Sequence, residues 1–252
     1  MNKEFLSMEF SKSEIIYAQL AANVYAATNN DADGNPRIRS ERNALPLPGL
    51  EWIQIAEHVT GSGFMAKAFR NSETGEVVVS YAGTTEENML DWVFGNIPAG
   101  TGYYSVQVEE AIVFYLNVLK IQGVDNSSVT FTGHSLGGGL ASLMAVFFDK
   151  NATVFDQAPF EMTAHDFEAI QKYRDNLDAS GYILPSEFEK YGPKSFGERE
   201  SNVVQILVAG EVLTYKTENA MKINGNVKTI DPMARDALGW GEGGFSPCNA
   251  SS

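Results

Sequence analysis

Apolar residues at positions 15, 16, 20, 24 and 25 of the stretch SEIIYAQLAANVYAA recur with helical spacing, so Ile15, Ile16, Leu20, Val24 and Tyr25 predict an amphipathic first helix over residues 13–27. Residues 28–49, TNNDADGNPRIRSERNALPLPG, are dense in turn formers and charges and are expected to be a loop. Within it NNDADG is spaced like the start of a calcium loop, but with Asn29 first the twelfth position is Ser40, not a bidentate glutamate, so no metal site is expected there.

The period then changes from helical to alternating. EWIQIAEHV (residues 51–59) reads as a strand, and GFMAKAFRNSETGEVVVSYAG as two strands joined by a Ser-Glu-Thr-Gly turn. The second of these, Val77 to Tyr81, is almost wholly apolar and β-branched, as a strand covered on both faces should be. Over residues 105–121, Val108, Ala111, Ile112, Tyr115, Val118 and Leu119 fall on one helical face. A strand SVTFTG, a helix GGGLASLMAVFFDKN, a strand ATVFDQAP, a charged helical region near 161–192 and a strand NVVQILVAG follow. Strands alternating with helices imply a mainly parallel central sheet with helices on both faces, a three-layer α/β domain spanning residues 1–252, with 241–252 as a flexible tail.

Composition narrows the chemistry. A hydrophobic fraction of 44% and 11% aromatic residues support a packed core. The net charge of −14 repels phosphate backbones and anionic bilayers, which argues against nucleic-acid partners and leaves only local apolar contact with lipid surfaces. The N-terminal stretch has no apolar core flanked by a cleavage site and no run reaches transmembrane length, so the expected location is cytoplasmic as synthesised, with export lacking a cleaved signal left open. The single cysteine, Cys248, cannot form an internal disulfide. No residue pattern calls for a cofactor or a metal.

The candidate chemistry lies in VTFTGHSLGGGLASLMA, where Gly133-His134-Ser135-Leu136-Gly137 fits G-x-S-x-G between an apolar strand and an apolar helix. A nucleophile elbow needs that context: the sharp turn raises the serine hydroxyl above the sheet, each flanking glycine removes a Cβ that would strike a neighbour, and the Leu136 amide faces a developing oxyanion. The competing reading is a tight glycine-rich connection cradling a phosphate. A P-loop would need Gly-Lys-Ser/Thr, and GGGLAS stands in its place. His134, next to the serine within the turn, points away from its hydroxyl and reads as a packing or hydrogen-bonding residue.

With these segments in view, the chain resembles the class 3 lipases, an α/β-hydrolase family acting on acylglycerols, phospholipids and some other esters. VVVSYAGTT is similar to the family strand ending in Arg-Gly-Thr/Ser, with Ala82 in place of the arginine; DWVFGNI resembles the Asn/Asp-Trp segment, ATVFDQAPF the strand ending in Ala-Pro, and VVQILVAGEVLT the strand carrying the acid. The resemblance covers residues from about 13 to 215. It implies an α/β-hydrolase fold, a lipid or other ester as substrate, Ser135 as nucleophile, Thr84 and Leu136 as oxyanion donors, and Glu211 as the acid. It also places a lid at 86–104, where Met89, Leu90, Trp92, Val93, Phe94 and Ile97 make an apolar connection able to cover an acyl groove. Trp92 fits a core position equally well.

The base is the open element. The family histidine follows the acid, but the three histidines here are His58, His134 and His165, and none follows Glu211. The expectation is that the chain stops short of its base, as a fragment or a natural truncation, or that His165 in EMTAHDF substitutes; a polar residue on a surface helix beside Asp166 is the plainer account of His165. His58 sits on an early strand away from the elbow. Asp231, in the turn TIDPM, is a weaker candidate acid. Three functions therefore stay in play: a lipid-ester hydrolase, a lipid- or partner-binding protein that keeps the fold without turnover, and an esterase for smaller or aromatic acyl groups.

Overall fold

In a computed structural model of the chain, the described residues are 10–26, 28–30, 36–38, 46–61, 63–83, 102–208 and 226–230. The first helix, α1 (Lys12–Asn23), begins where Ser11 and Glu14 form a capping box: the Glu14 amide donates to Ser11 Oγ at 3.2 Å and the Ser11 amide to Glu14 Oε2 at 2.8 Å. A 3₁₀ turn, Val24–Ala26, continues it. The stretch read as a loop is partly ordered, because β1 (Thr28–Asn30) and β2 (Pro36–Ile38) pair antiparallel. A backbone ladder of three residue pairs leaves no hydrophobic pattern, so periodicity had nothing to detect.

Among the described residues the main sheet has seven strands in chain order: β3 (Trp52–Val59), β4 (Met65–Asn71), β5 (Val77–Tyr81), β6 (Val129–His134), β7 (Ala152–Phe155), β8 (Val203–Val208) and β9 (Asn226–Ile230). The first two junctions are antiparallel hairpin-type pairings and the remaining four are parallel. The parallel part is the expected α/β arrangement, with α2 (Gly102–Val118) between β5 and β6 and α3 (Leu136–Phe148) between β6 and β7. The charged region after β7 resolves into α4 (Glu161–Ala164), α5 (Phe167–Ala179), α6 (Ser186–Glu189) and α7 (Ser195–Arg199). β7 is shorter than its sequence suggested, stopping at Phe155 where Asp156 takes φ +41°. β9 was not anticipated: NVKTI carries too few apolar residues to signal a strand, and its neighbour β8 supplies the pairing.

Alternation along the strands sends residues to two different layers. Val77, Val79, Tyr81 and Phe131 join one large core with the buried faces of α2 and α3, whereas Val78, Phe69 and Trp52 pack with Leu20 of α1 on the opposite face. The Thr132 hydroxyl lies 3.3 Å from the Tyr17 carbonyl of α1, which fixes the side on which α1 lies. Helices on both faces of a mainly parallel sheet, with a tight strand-to-helix turn at residue 135, make this the three-layer α/β-hydrolase fold. α3 is hydrophobic all round and all 13 of its residues are buried. Its C-terminal carbonyls, Val146 and Phe147, accept from Arg199 Nη1 at 2.9 Å each, and the same nitrogen reaches the Glu187 carbonyl at 3.1 Å. A cation at that end also interacts favourably with the negative pole of the helix dipole.

Candidate active site

Ser135 has φ 56° and ψ −126°, a backbone conformation that side-chain-bearing residues adopt at a cost of about 1–3 kcal/mol each. The surroundings explain how it is held. Its amide donates to the Phe155 carbonyl of β7 at 3.1 Å, and its carbonyl accepts from the amides of Gly139 at 3.1 Å and Ala158 at 2.9 Å. Three bonds thus pin one residue between the end of a strand, the first turn of α3 and the chain leaving β7.

Both glycines of the motif are required by space. A Cβ on Gly133 would lie 2.4 Å from the Gly137 carbonyl oxygen, and one on Gly137 would lie 2.1 Å from the Tyr81 carbonyl oxygen of β5. The helix can therefore approach β5 and β6 only if these positions carry no side chain. Ser135 itself is fully buried, which keeps bulk water from its hydroxyl.

The end of β5 closes on the same turn. A Cβ on Gly83 would stand 3.0 Å from Tyr25 Oη, 3.1 Å from the His134 carbonyl oxygen and 3.4 Å from the Leu136 nitrogen, and the Gly83 amide donates to Tyr25 Oη at 2.8 Å. Leu136 and the residue before Thr84 are thus neighbours, and the tyrosine at the end of the first helix braces the second. Sequence reasoning assigned Tyr25 only to the packed face of a helix, since periodicity reports which way a ring faces and says nothing of its hydroxyl.

Two further supports come from the chain after β7. Asp156, 5% exposed, accepts the Val208 amide at 2.8 Å through Oδ1, and its own amide donates to the Ile206 carbonyl at 3.0 Å. Gln157 is fully buried, with Oε1 accepting from Ser142 Oγ of α3 at 2.5 Å, while its Nε2 has no partner among the described residues. The sequence marked this stretch only as the end of a strand.

The histidines lie as follows. By alternation from Thr132, His134 is on the α1 face of β6. His58, on β3, is exposed and stacks on Phe114 with centroids 6.4 Å apart and planes 17° from parallel. His165 is exposed at the C-terminus of α4, its ring 4.7 Å from that of Phe196 and 6.2 Å from Phe167. Thr84, Glu211, Asp231, the apolar connection with Met89, Leu90, Trp92, Val93, Phe94 and Ile97, and the tail 241–252 lie outside the described residues. Among the described residues no group of acidic, histidine or cysteine side chains is arranged to hold a metal ion.

A family model described as a phospholipase-like, Tle-like phospholipase domain matches residues 16–237. The chain belongs to this family. The chain is also 32% identical over 141 residues to an extracellular phospholipase A1 of Serratia liquefaciens, an alignment covering 56% of this chain and 40% of that protein, so the match spans less than half the length of that relative. Among solved structures it is similar to the Lip2 lipase from Yarrowia lipolytica, at 13% identity, 85% coverage of this chain and 76% of that one, with a TM-score of 0.48. It is also similar to a Rhizomucor miehei lipase propeptide complex, at 14% identity, 82% and 63% coverage, and a TM-score of 0.42. The family match and the phospholipase A1 relative bear out the lipase-type family expected from the motifs. No helix of the Tle-like domain is, among the described residues, long and apolar enough to cross a membrane.

Proposed function

We propose that this domain hydrolyses carboxylic esters of lipids, phospholipids among them, through an acyl-enzyme on Ser135. The observation that carries the reading is the strained backbone of Ser135 at a strand-to-helix turn whose two flanking glycines leave no room for a side chain. Membership of a phospholipase-like family and the similarity to a phospholipase A1 support lipid as the substrate class.

In this mechanism Ser135 Oγ attacks the ester carbonyl carbon while a base takes its proton. The tetrahedral oxygen is met by the amides of Leu136 and Thr84, the latter continuing directly from Gly83 beside the elbow. The leaving alcohol takes the proton from the base, and water then releases the acid by the same steps in reverse order. Glu211 orients the base and favours its protonated form. His165 is the one histidine C-terminal to Ser135 in these 252 residues and is proposed for that role; it would have to leave its contact with Phe196 to serve. Met89, Leu90, Trp92, Val93 and Phe94 supply the acyl-facing cover.

A second reading is favoured by the placement of His165, exposed and resting on an aromatic ring: a domain that binds lipid without turning it over. Loss of the base from a serine hydrolase removes about a millionfold in turnover, roughly 8 kcal/mol, so the two readings separate cleanly. A fluorophosphonate probe should label the native chain at Ser135, and phospholipid vesicles should release fatty acid, both lost in Ser135→Ala. A folded chain that binds vesicles but takes no label and releases no acid is the binding protein instead. That relative is extracellular, which favours secretion, tested by comparing the chain's abundance in medium and cytosol.

A further inference from the structure

We infer that Asp156 is a positioning residue, whose carboxylate fixes the C-terminal end of β8, three residues in sequence before the proposed acid. The inference rests on the reading of Ser135 as nucleophile and Glu211 as acid.

Asp156 is the cross-strand neighbour of the nucleophile. His134 pairs with Phe155 in the parallel ladder, so the next residue on each strand, Ser135 and Asp156, stand side by side at the carboxyl ends of β6 and β7. Both have positive φ, 56° and 41°, and two of the three non-glycine residues described with positive φ thus fall at adjacent strand ends around one turn. Strain of this kind persists only where the surroundings over-determine it, and it concentrates where a site is built.

What the strain achieves is visible in the ladder. β7 pairs with β8 up to Phe155 and Ile206, and the Asp156 amide still donates to Ile206. There the chain turns away from β8 towards Ala158, which must reach the Ser135 carbonyl. The backbone ladder between β7 and β8 ends at Phe155 and Ile206, and two residues further along β8 Asp156 Oδ1 accepts the Val208 amide at 2.8 Å. One residue therefore serves two directions: its backbone releases the chain to brace the elbow, and its side chain keeps β8 in line for two more residues.

An amide of the same shape would make this bond too, but a carboxylate makes it charge-assisted and stronger. Burying a carboxylate to 5% exposure costs free energy that a plain strand end would not require. Glu211 follows Val208 by three residues in sequence, and β8 ends two strands from β6, whose end carries Ser135, so the position held at Val208 is the last described point before the proposed acid. Sub-ångström placement is what such chemistry needs, and a shift of about 1 Å can cost on the order of a hundredfold.

The test uses Asp156→Ala and Asp156→Asn in the full chain, with two readouts. The first is the rate of fluorophosphonate labelling at Ser135 as a function of pH. Asp156→Ala should slow it by about 10- to 100-fold and move its pH midpoint down, because a base that loses its carboxylate loses the partner favouring its protonated form. Asp156→Asn, which keeps an oxygen for the Val208 amide, should recover most of that loss. The second readout, independent of activity, is hydrogen exchange: the Val208 amide should lose protection in Asp156→Ala and regain it in Asp156→Asn. A folded Asp156→Ala chain with native exchange at Val208, or with a native labelling rate and pH midpoint, overturns the inference. So does Asp156→Asn falling as far as Asp156→Ala, since the charge and not the bond to Val208 would then be at work. If the native chain takes no label, the nucleophile reading fails by itself, and the exchange measurement still decides whether Asp156 sets the path of β8.

Discussion

Replacing Gly137 by alanine tests the elbow without touching its serine. The added Cβ would sit 2.1 Å from the Tyr81 carbonyl oxygen and 2.7 Å from the carbonyl carbons of Tyr81 and Ala82, all backbone atoms of the adjacent strand end. Real Cβ contacts stop near 3.0 Å, so helix and strand must separate by about 0.9 Å at a place where α3 is buried on every side. Overpacking of flexible side chains costs about 1–3 kcal/mol, and rigid backbone puts this site at or above the upper end. For a chain of this size about 3 kcal/mol corresponds to a fall in Tm of roughly 6–12 °C. Two other glycines calibrate the result. Gly139→Ala meets the Ala158 carbonyl oxygen at 3.0 Å and should lose about 1 kcal/mol or less, while Gly197→Ala, in α7 with nothing within 4 Å among the described residues, should be neutral or gain up to about 1 kcal/mol from helix propensity. Thermal unfolding by circular dichroism and fluorophosphonate labelling give the two measurements. If Gly137→Ala unfolds with Gly197→Ala and is labelled at the native rate, close approach of α3 to β5 is not what builds the elbow.

Other perturbations have equally definite signs. Arg199→Met should remove the donor shared by Val146, Phe147 and Glu187, leaving carbonyls at the end of a buried helix unpaired, at a cost of about 2–4 kcal/mol read from denaturant midpoints. Tyr25→Phe should leave the Gly83 amide without its acceptor, losing about 1–3 kcal/mol at that point and slowing labelling of Ser135 more than it lowers Tm. Burial pushes the Glu14 carboxyl up, but the Lys228 ammonium and the Ser11 amide and hydroxyl outweigh it and hold the group below its ordinary 4.5. A depressed carboxyl stabilises above the unfolded value, so this contribution is present above pH 4.5 and is lost as pH falls below 4.5 through the folded value. Glu14→Gln should therefore lower Tm at neutral pH and converge on the native chain at the acid end of that window.

The parallel core was legible because its strands and helices differ in period and because β5, β6 and α3 are apolar enough to leave no choice. The glycines of the elbow were legible for the same reason: a strand meeting a helix at G-x-S-x-G has one steric solution, and the distances at Gly133 and Gly137 are that solution. β9 was not, since a polar edge strand earns its place by pairing with β8 and by the contact of Lys228 with Glu14, both long-range. Tyr25 and Asp156 were missed on similar grounds. Each acts through one polar atom on a backbone amide far along the chain, a relation that no local pattern encodes.

The order of strands has a bearing on how the chain can be handled. β9 covers the free side of β8, whose sequence VVQILV is apolar, β-rich and without charge or proline, the composition that templates edge-to-edge aggregation. NVKTI brings a lysine to that rim and gives it no such template. A chain cut between β8 and β9 would keep the nucleophile, its helix and its glycines and still be expected to precipitate, so solubility of shortened versions reports on this polar strand before it reports on the site.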